Sequence, residues 1–240
     1  MVRSNFRPRR LAVAFALLIP LLVTACEPAA TIPPDLGAQG AGRVVAGSLH
    51  GRTGGFLIVR DAASRVDVRL ADLPGLLYRI STPAGSGLAP RVTGGDGRVR
   101  VRLSPTGDDG PDTVTILLNR AVLWDIRLPA GAGEQRLYLG RGSVARLDLG
   151  SSGLLDVELP QPEGTVPVTL RGGAGTVSVV APRDAPVRFR LLGGAGSVDT
   201  PWVASNGALV GAVLADPRWP AVADRYAVYA RAGVGSLTLR

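Results

Sequence analysis

From Val44 onward the chain alternates apolar and polar residues with a period of two. Val66-Asp67-Val68-Arg69-Leu70, Arg98-Val99-Arg100-Val101-Arg102-Leu103 and Trp124-Asp125-Ile126-Arg127-Leu128 follow this pattern. Leu147-Asp148-Leu149, Leu155-Asp156-Val157-Glu158-Leu159 and Val187-Arg188-Phe189-Arg190-Leu191 repeat it. Such spacing places aliphatic side chains on one face of an extended strand and charges on the other. Clusters of Gly and Pro divide the runs about every 8–12 residues, as in all-β proteins. No segment after residue 26 has the 3.6-residue spacing of an amphipathic helix, so the pattern predicts strands throughout.

The second half also repeats. Gly131-Ala132-Gly133, Ser151-Ser152-Gly153, Gly173-Ala174-Gly175 and Gly194-Ala195-Gly196 mark corresponding points, their last glycines 20, 22 and 21 residues apart. Gly233-Val234-Gly235 follows 39 residues later, close to two further periods. Each unit holds two short strands, as in Val177-Ser178-Val179, a turn through Pro182 to Ala185, and Val187 to Leu191. This predicts an all-β, single-stranded β-solenoid-like stack of short strands with glycine-rich corners. Glycine suits a corner because it takes positive φ and lets neighbouring backbones approach closely. Residues 43–112 share the strand pattern without the clean interval. They read either as irregular first coils of one 43–240 body or as a small separate β unit, with one continuous body preferred; residues 113–240 form the repeat part.

The segments Gly172-Gly173-Ala174-Gly175-Thr176-Val177 and Gly193-Gly194-Ala195-Gly196-Ser197-Val198 resemble the glycine-rich repeats of bacterial "putative adhesin" and toast-rack β-solenoid domains. Domains of that kind occur in envelope-stress proteins of the Lia and phage-shock type and in actinobacterial lipoproteins. The resemblance covers roughly residues 113–240. It implies a fold and a cell-envelope setting, and it brings no catalytic residue.

The beginning of the chain follows other rules. Arg3, Arg7, Arg9 and Arg10 precede an apolar run from Leu11 to Val23, too short for a bilayer span of about 20 residues. A basic start, a short apolar core and small residues at its end make a secretory signal peptide over 1–25. Val23-Thr24-Ala25-Cys26 resembles the lipobox of bacterial lipoproteins. The resemblance implies transfer of a diacylglycerol to the Cys26 thiol, cleavage between Ala25 and Cys26 and acylation of the new amine, with fatty chains such as palmitate as membrane anchor. The alternative is an ordinary signal peptide whose cleavage region happens to contain a cysteine. Residues 26–42, Ala-, Pro- and Gly-rich, read as the lipidated cysteine followed by a flexible linker.

Removing the leader changes how the charge is read. The formal balance falls from +8 to +4, because four of the arginines leave with it. The charge is therefore no footprint for nucleic acid. There is no Lys at all, and the wealth of Ala, Gly, Pro and Val is that of a GC-rich coding sequence of the actinobacterial kind. The single Cys rules out an intrachain disulfide, and with one His, His50, no His-His or Cys-His metal set can form. His50, in Ser48-Leu49-His50-Gly51, lacks the surroundings of a catalytic base and reads as a loop residue.

The Gly-Ala-Gly elements are followed by strands, not by the helix a phosphate loop needs, and so read as corners. Asp108, Asp109 and Asp112 do not match a calcium loop and read as a solvated turn. Arg98, Arg100 and Arg102 share one strand face, as do Arg188 and Arg190; a solvated face is the plain reading, anionic headgroups or wall phosphates the other. Residues 199–224 depart from the repeat and hold Trp202 and Trp219, with Tyr226 and Tyr229 just beyond. These aromatics either cap the open end of the stack or form a surface for a sugar or a partner's apolar side chain.

The sequence therefore predicts a non-enzymatic binding, sensing or scaffold module. It would be lipid-anchored through Cys26 at the extracytoplasmic face of the cell membrane, use no cofactor or metal, and meet an unknown envelope protein or glycan and no nucleic acid. The rival is a glycan-binding module or a carbohydrate-active enzyme using Asp residues that the sequence does not single out.

Overall fold

The computed structural model describes residues 42–240. The leader, Cys26 and the linker as far as residue 41 lie outside them. Nineteen strands follow one another without a helix among the described residues. They are β1 (Val44–Ser48), β2 (Gly54–Val59), β3 (Ala63–Ala71), β4 (Leu76–Ser81), β5 (Leu88–Thr93), β6 (Arg98–Pro105) and β7 (Thr113–Asn119). Then come β8 (Leu123–Leu128), β9 (Ala132–Tyr138), β10 (Ser143–Leu149), β11 (Ser152–Glu158), β12 (Thr165–Leu170) and β13 (Ala174–Val180). The last are β14 (Val187–Leu191), β15 (Ala195–Thr200), β16 (Val203–Ser205), β17 (Ala212–Ala215), β18 (Arg225–Ala230) and β19 (Val234–Leu239).

These strands make two mixed sheets. The ten-stranded sheet has the order β1-β4-β7-β3-β9-β11-β13-β19-β15-β16, and the nine-stranded sheet β17-β14-β18-β12-β10-β8-β2-β6-β5. From β8 to β15 the chain crosses from one sheet to the other with every strand, and as far as β13 successive crossings pair in parallel. Each crossing and return makes a two-strand tier. Strands β1 to β6 belong to the same two sheets, β2 and β3 pairing in parallel with β8 and β9.

The tiers do not stack in chain order. The β18–β19 tier, expected after β14–β15, lies between it and the β12–β13 tier. The other end mirrors this, because β2–β3 lies between β6–β7 and β8–β9. Both outer tiers are then covered by antiparallel strands, β4 and β5 at one end, β16 and β17 at the other. A strand paired on both sides leaves no open ladder, so the last tier gains two partners by inserting. The edge that does face solvent in the nine-stranded sheet at the first end is β5, where Pro90 has no N–H to offer.

The alternation read from sequence fills the space between the sheets. Ile126, Leu147, Val168, Val228 and Phe189 form one row across the nine-stranded sheet, all buried. Leu155, Val177, Leu237 and Val198 form the matching row opposite. Burying each such side chain is worth about 1.5–3 kcal/mol. Trp124, fully buried, gives its Nε1–H to the carbonyl of Asn119 at 2.9 Å.

The repeated glycines stack. Gly133, Gly153, Gly175, Gly235 and Gly196 are each the second residue of a strand, and they form a column running from β9 to β15. A Cβ on Gly175 would stand 2.6 Å from the carbonyl oxygen of Gly153, and one on Gly196 2.6 Å from that of Gly235. Parallel strands can approach this closely there because neither carries a side chain.

Candidate binding surface

The chain leaves the tiers after Thr200, the end of β15, two residues later than the sequence pattern suggests, and residues 201–224 supply the end cover. β16 pairs with β15 and β17 with β14, both antiparallel. Trp202, in the turn into β16, packs its half-buried ring against the edge of the core. With Val187, Pro182, Leu239, Asp216 and Arg240 it borders an open cavity of about 220 Å³. Its Nε1 is buried without a hydrogen-bond partner among the described residues. Asp216, at the other side of the cavity, accepts from both Arg218 Nε at 3.1 Å and Nη2 at 2.7 Å. Those bonds to Arg218 hold the Asp216 carboxyl below the usual carboxylate range.

Trp219 sits on the outer face of the nine-stranded sheet between two arginines. The guanidinium carbons of Arg188 and Arg225 lie 3.7 and 3.9 Å from the ring centroid. Two guanidinium groups that close cannot share one side of the ring, so each covers a face. Arg188 comes from β14 and Arg225 from its neighbour β18. The tryptophan Nε1–H donates to the Tyr226 carbonyl at 3.1 Å, and Arg225 Nη1 to the Trp219 carbonyl at 2.7 Å. With both faces taken, Trp219 has none left for stacking on a sugar ring. Tyr229 is half-buried on the same outer face, opposite Arg190 in register.

Tyr226 is placed otherwise. It is fully buried, and its hydroxyl donates to the Pro160 carbonyl at 2.7 Å. Burial pushes its phenol pKa well above the ordinary value. It belongs to the core and is no surface residue, which corrects its grouping with the other aromatics. The sequence carries the reason: in Arg225-Tyr226-Ala227-Val228-Tyr229-Ala230, Tyr226 shares parity with Val228 and Ala230, and Tyr229 with Ala227 and Arg225.

The remaining sequence candidates lie apart. His50 is exposed in a turn at φ +47°. Asp108 is ion-paired with Arg43 at 3.2 Å. The Gly-Ala-Gly elements open strands, as expected of corners, and Gly131 and Gly194 take φ of +75° there. Among the described residues no group of three or more His, Cys, Asp or Glu could hold a metal ion. Ala25 and Cys26 lie outside the described residues.

Sequence reasoning missed the two arginines that enclose Trp219, although Arg188 belongs to the alternating run Val187 to Leu191. A cross-strand register was needed to see them meet.

No protein-family model and no curated protein matches the chain. Among solved structures, a "putative cell adhesion protein" from Clostridium sporogenes ATCC 15579 superposes with a TM-score of 0.63. The match covers 83% of this chain and 99% of that one at 14% identity. A "putative adhesin" from Parabacteroides distasonis ATCC 8503 covers 84% of this chain and 98% of its own at 10% identity, with a TM-score of 0.24, too low to indicate a common fold. The first likeness is one of fold: an all-β body of many short strands in two sheets.

Proposed function

We propose that this chain is an exported lipoprotein, held through acylated Cys26 at the outer face of the cell membrane, whose β-solenoid body is a non-enzymatic binding module of the envelope. The observation that carries this reading is the form of the body. Tiers of parallel strands enclose a core filled with aliphatic side chains and present two continuous outer faces, ten and nine strands wide. Such faces suit contacts spread over a surface better than a chemical step in a cleft. The fold shared with the Clostridium sporogenes structure supports it, as do the basic leader and the Val23-Thr24-Ala25-Cys26 segment.

Two measurements test it. Expressed from the full sequence, the chain is expected in the membrane fraction and labelled by a palmitate analogue, and Cys26→Ser should abolish the label. Retention of a cleaved, unlabelled Cys26→Ser product in the membrane would refute the tether. The purified chain is expected to be retained by cell-envelope material without shortening its polymers; release of new reducing ends would replace the binding reading with an enzymatic one.

A further inference from the structure

Resting on that binding reading, we propose that the outer face of the nine-stranded sheet is a docking surface for an anionic envelope polymer carrying phosphate groups along its chain. The two outer faces of the body differ sharply in charge. On the nine-stranded sheet, the outward strand positions among the described residues hold nine arginines: Arg91 on β5; Arg98, Arg100 and Arg102 on β6; Arg127 on β8; Arg146 on β10; Arg225 on β18; and Arg188 and Arg190 on β14. Only two acids share that face, Asp125 and Asp148, and each is already paired, with Arg127 and Arg171. On the ten-stranded sheet, four outward arginines, Arg65, Arg69, Arg79 and Arg136, meet five acids, Asp67, Glu134, Asp156, Glu158 and Asp199.

A solvated face needs no such bias. The ten-stranded sheet shows the ordinary solution, opposite charges side by side: Glu134 lies within 2.7 Å of Arg65 and 3.2 Å of Arg136. The nine-stranded sheet does the reverse. Arg91 stands directly opposite Arg102 across β5 and β6, an arrangement that costs stability in a sheet. Only Arg102 and Arg127 of the nine have an ion-pair partner among the described residues, Asp61 and Asp125. The other seven guanidinium groups have none there.

Spacing selects a polymer over a single ion. Outward residues two apart on a strand stand about 6.6 Å from each other. Seven interstrand steps of about 4.8 Å separate β5 from β14, so the arginines spread over about 34 Å. Seven of them form one cluster at β5–β6 and another at β14–β18, with Arg127, Arg146 and the Thr165, Pro167 and Thr169 positions of β12 between. A flexible chain of repeating anions can engage both clusters and cross the gap. Arginine suits phosphate because its planar fork donates two parallel hydrogen bonds. At the second cluster Arg188, stacked on Trp219, has its plane fixed while its edge is left to donate.

The test measures binding of a synthetic poly(glycerol phosphate) to the full chain at low ionic strength. Arg98→Gln/Arg100→Gln/Arg190→Gln is compared with Arg79→Gln on the opposite face, and thermal unfolding confirms that each variant is folded. The triple variant should bind at least about tenfold more weakly, and its salt dependence should flatten by about one logarithmic unit per contact removed. Arg79→Gln should stay within about twofold of the parent. Equal losses in both variants would overturn the proposal, since general positive charge would then suffice. So would an undiminished triple variant, or tighter binding to phosphatidylglycerol vesicles than to the polymer. Binding to uncharged wall fragments alone would overturn this inference and leave the binding module standing.

Discussion

The stacking of tiers at their glycines can be tested by one methyl group. Gly175 lies between Gly153 and Gly235, and an alanine Cβ there would stand 2.6 Å from the Gly153 carbonyl oxygen. An ordinary contact is 3.4 Å or more, so the start of β13 must move outward by most of an ångström. That movement strains the neighbouring bonds from Ser152 N to Gly173 O, 3.0 Å, and from Ala174 N to Gly233 O, 3.2 Å. Overpacking of this kind costs about 1–3 kcal/mol. Stiffening of the unfolded chain by the alanine offsets about 0.4–1 kcal/mol. The net loss for Gly175→Ala should be about 1–2 kcal/mol, or a Tm lower by about 2–8 °C for a body of this size. Gly54→Ala is the control. It makes the same chemical change at the start of β2, where a Cβ would meet nothing within 4 Å and φ is not positive. It should be neutral or stabilising by up to about 1 kcal/mol. Urea unfolding followed by circular dichroism, with equal m-values, gives both numbers. Were Gly175→Ala to match Gly54→Ala within about 0.5 kcal/mol, the glycines would not be in contact across the tiers and the stack would be wrong.

The other predictions concern the end cover and the core. Trp219→Ala should cost about 1–2 kcal/mol, the scale of two partly exposed cation–π contacts, and not the roughly 3–5 kcal/mol of a core aromatic; chemical denaturation distinguishes the two. Trp202→Phe keeps a six-membered aromatic ring, gives up the contacts of the pyrrole half and removes a buried donor without a partner, so the two effects offset and stability should stay within about 1 kcal/mol of the parent in the same assay. Tyr226→Phe leaves the Pro160 carbonyl without its donor and should cost about 1–2 kcal/mol. The Tyr226 phenol has a folded pKa raised above its unfolded value near 10. Its contribution is therefore complete below pH 10 and is lost as pH rises above it, because only the unfolded chain releases the proton. Unfolding titrations above pH 10 should show this decline, and Tyr226→Phe should flatten it. For Asp216 the sign is opposite: with its folded pKa lowered by Arg218, its contribution is present above the unfolded value and lost as pH falls below it, a loss that Asp216→Asn should remove from the acid limb.

Much of this protein follows from local chemistry alone. Period-two alternation dictates strands and decides which side chains point inward, and Ile126, Leu147, Val168, Val228 and Phe189 do so in the structure. The recurrence of glycine at 20- to 22-residue intervals gives the corners of the tiers. The lipobox-like segment and the absence of Lys and of a second His are equally properties of the sequence. Parity along β18 would even have separated Tyr226 from Tyr229, had it been applied to both.

What no reading along the chain could supply was the order of the tiers. Gly235 lies 39 residues after Gly196, yet the two are neighbours, and Gly175 is the other neighbour of Gly235. Local spacing is indifferent to whether the last tier adds to the end or enters the stack. The choice rests on long-range ladders, which complete both sides of β18 and β19 only when they are inserted. The charged face arises in the same way. Arg98, Arg100 and Arg102 are separated by about ninety residues from Arg188 and Arg190. Each set alone is an ordinary solvated strand; only the pairing of nine strands in one sheet brings both onto a single surface, while the acids gather on the other. Register across strands, set by backbone hydrogen bonds between distant segments, made those placements.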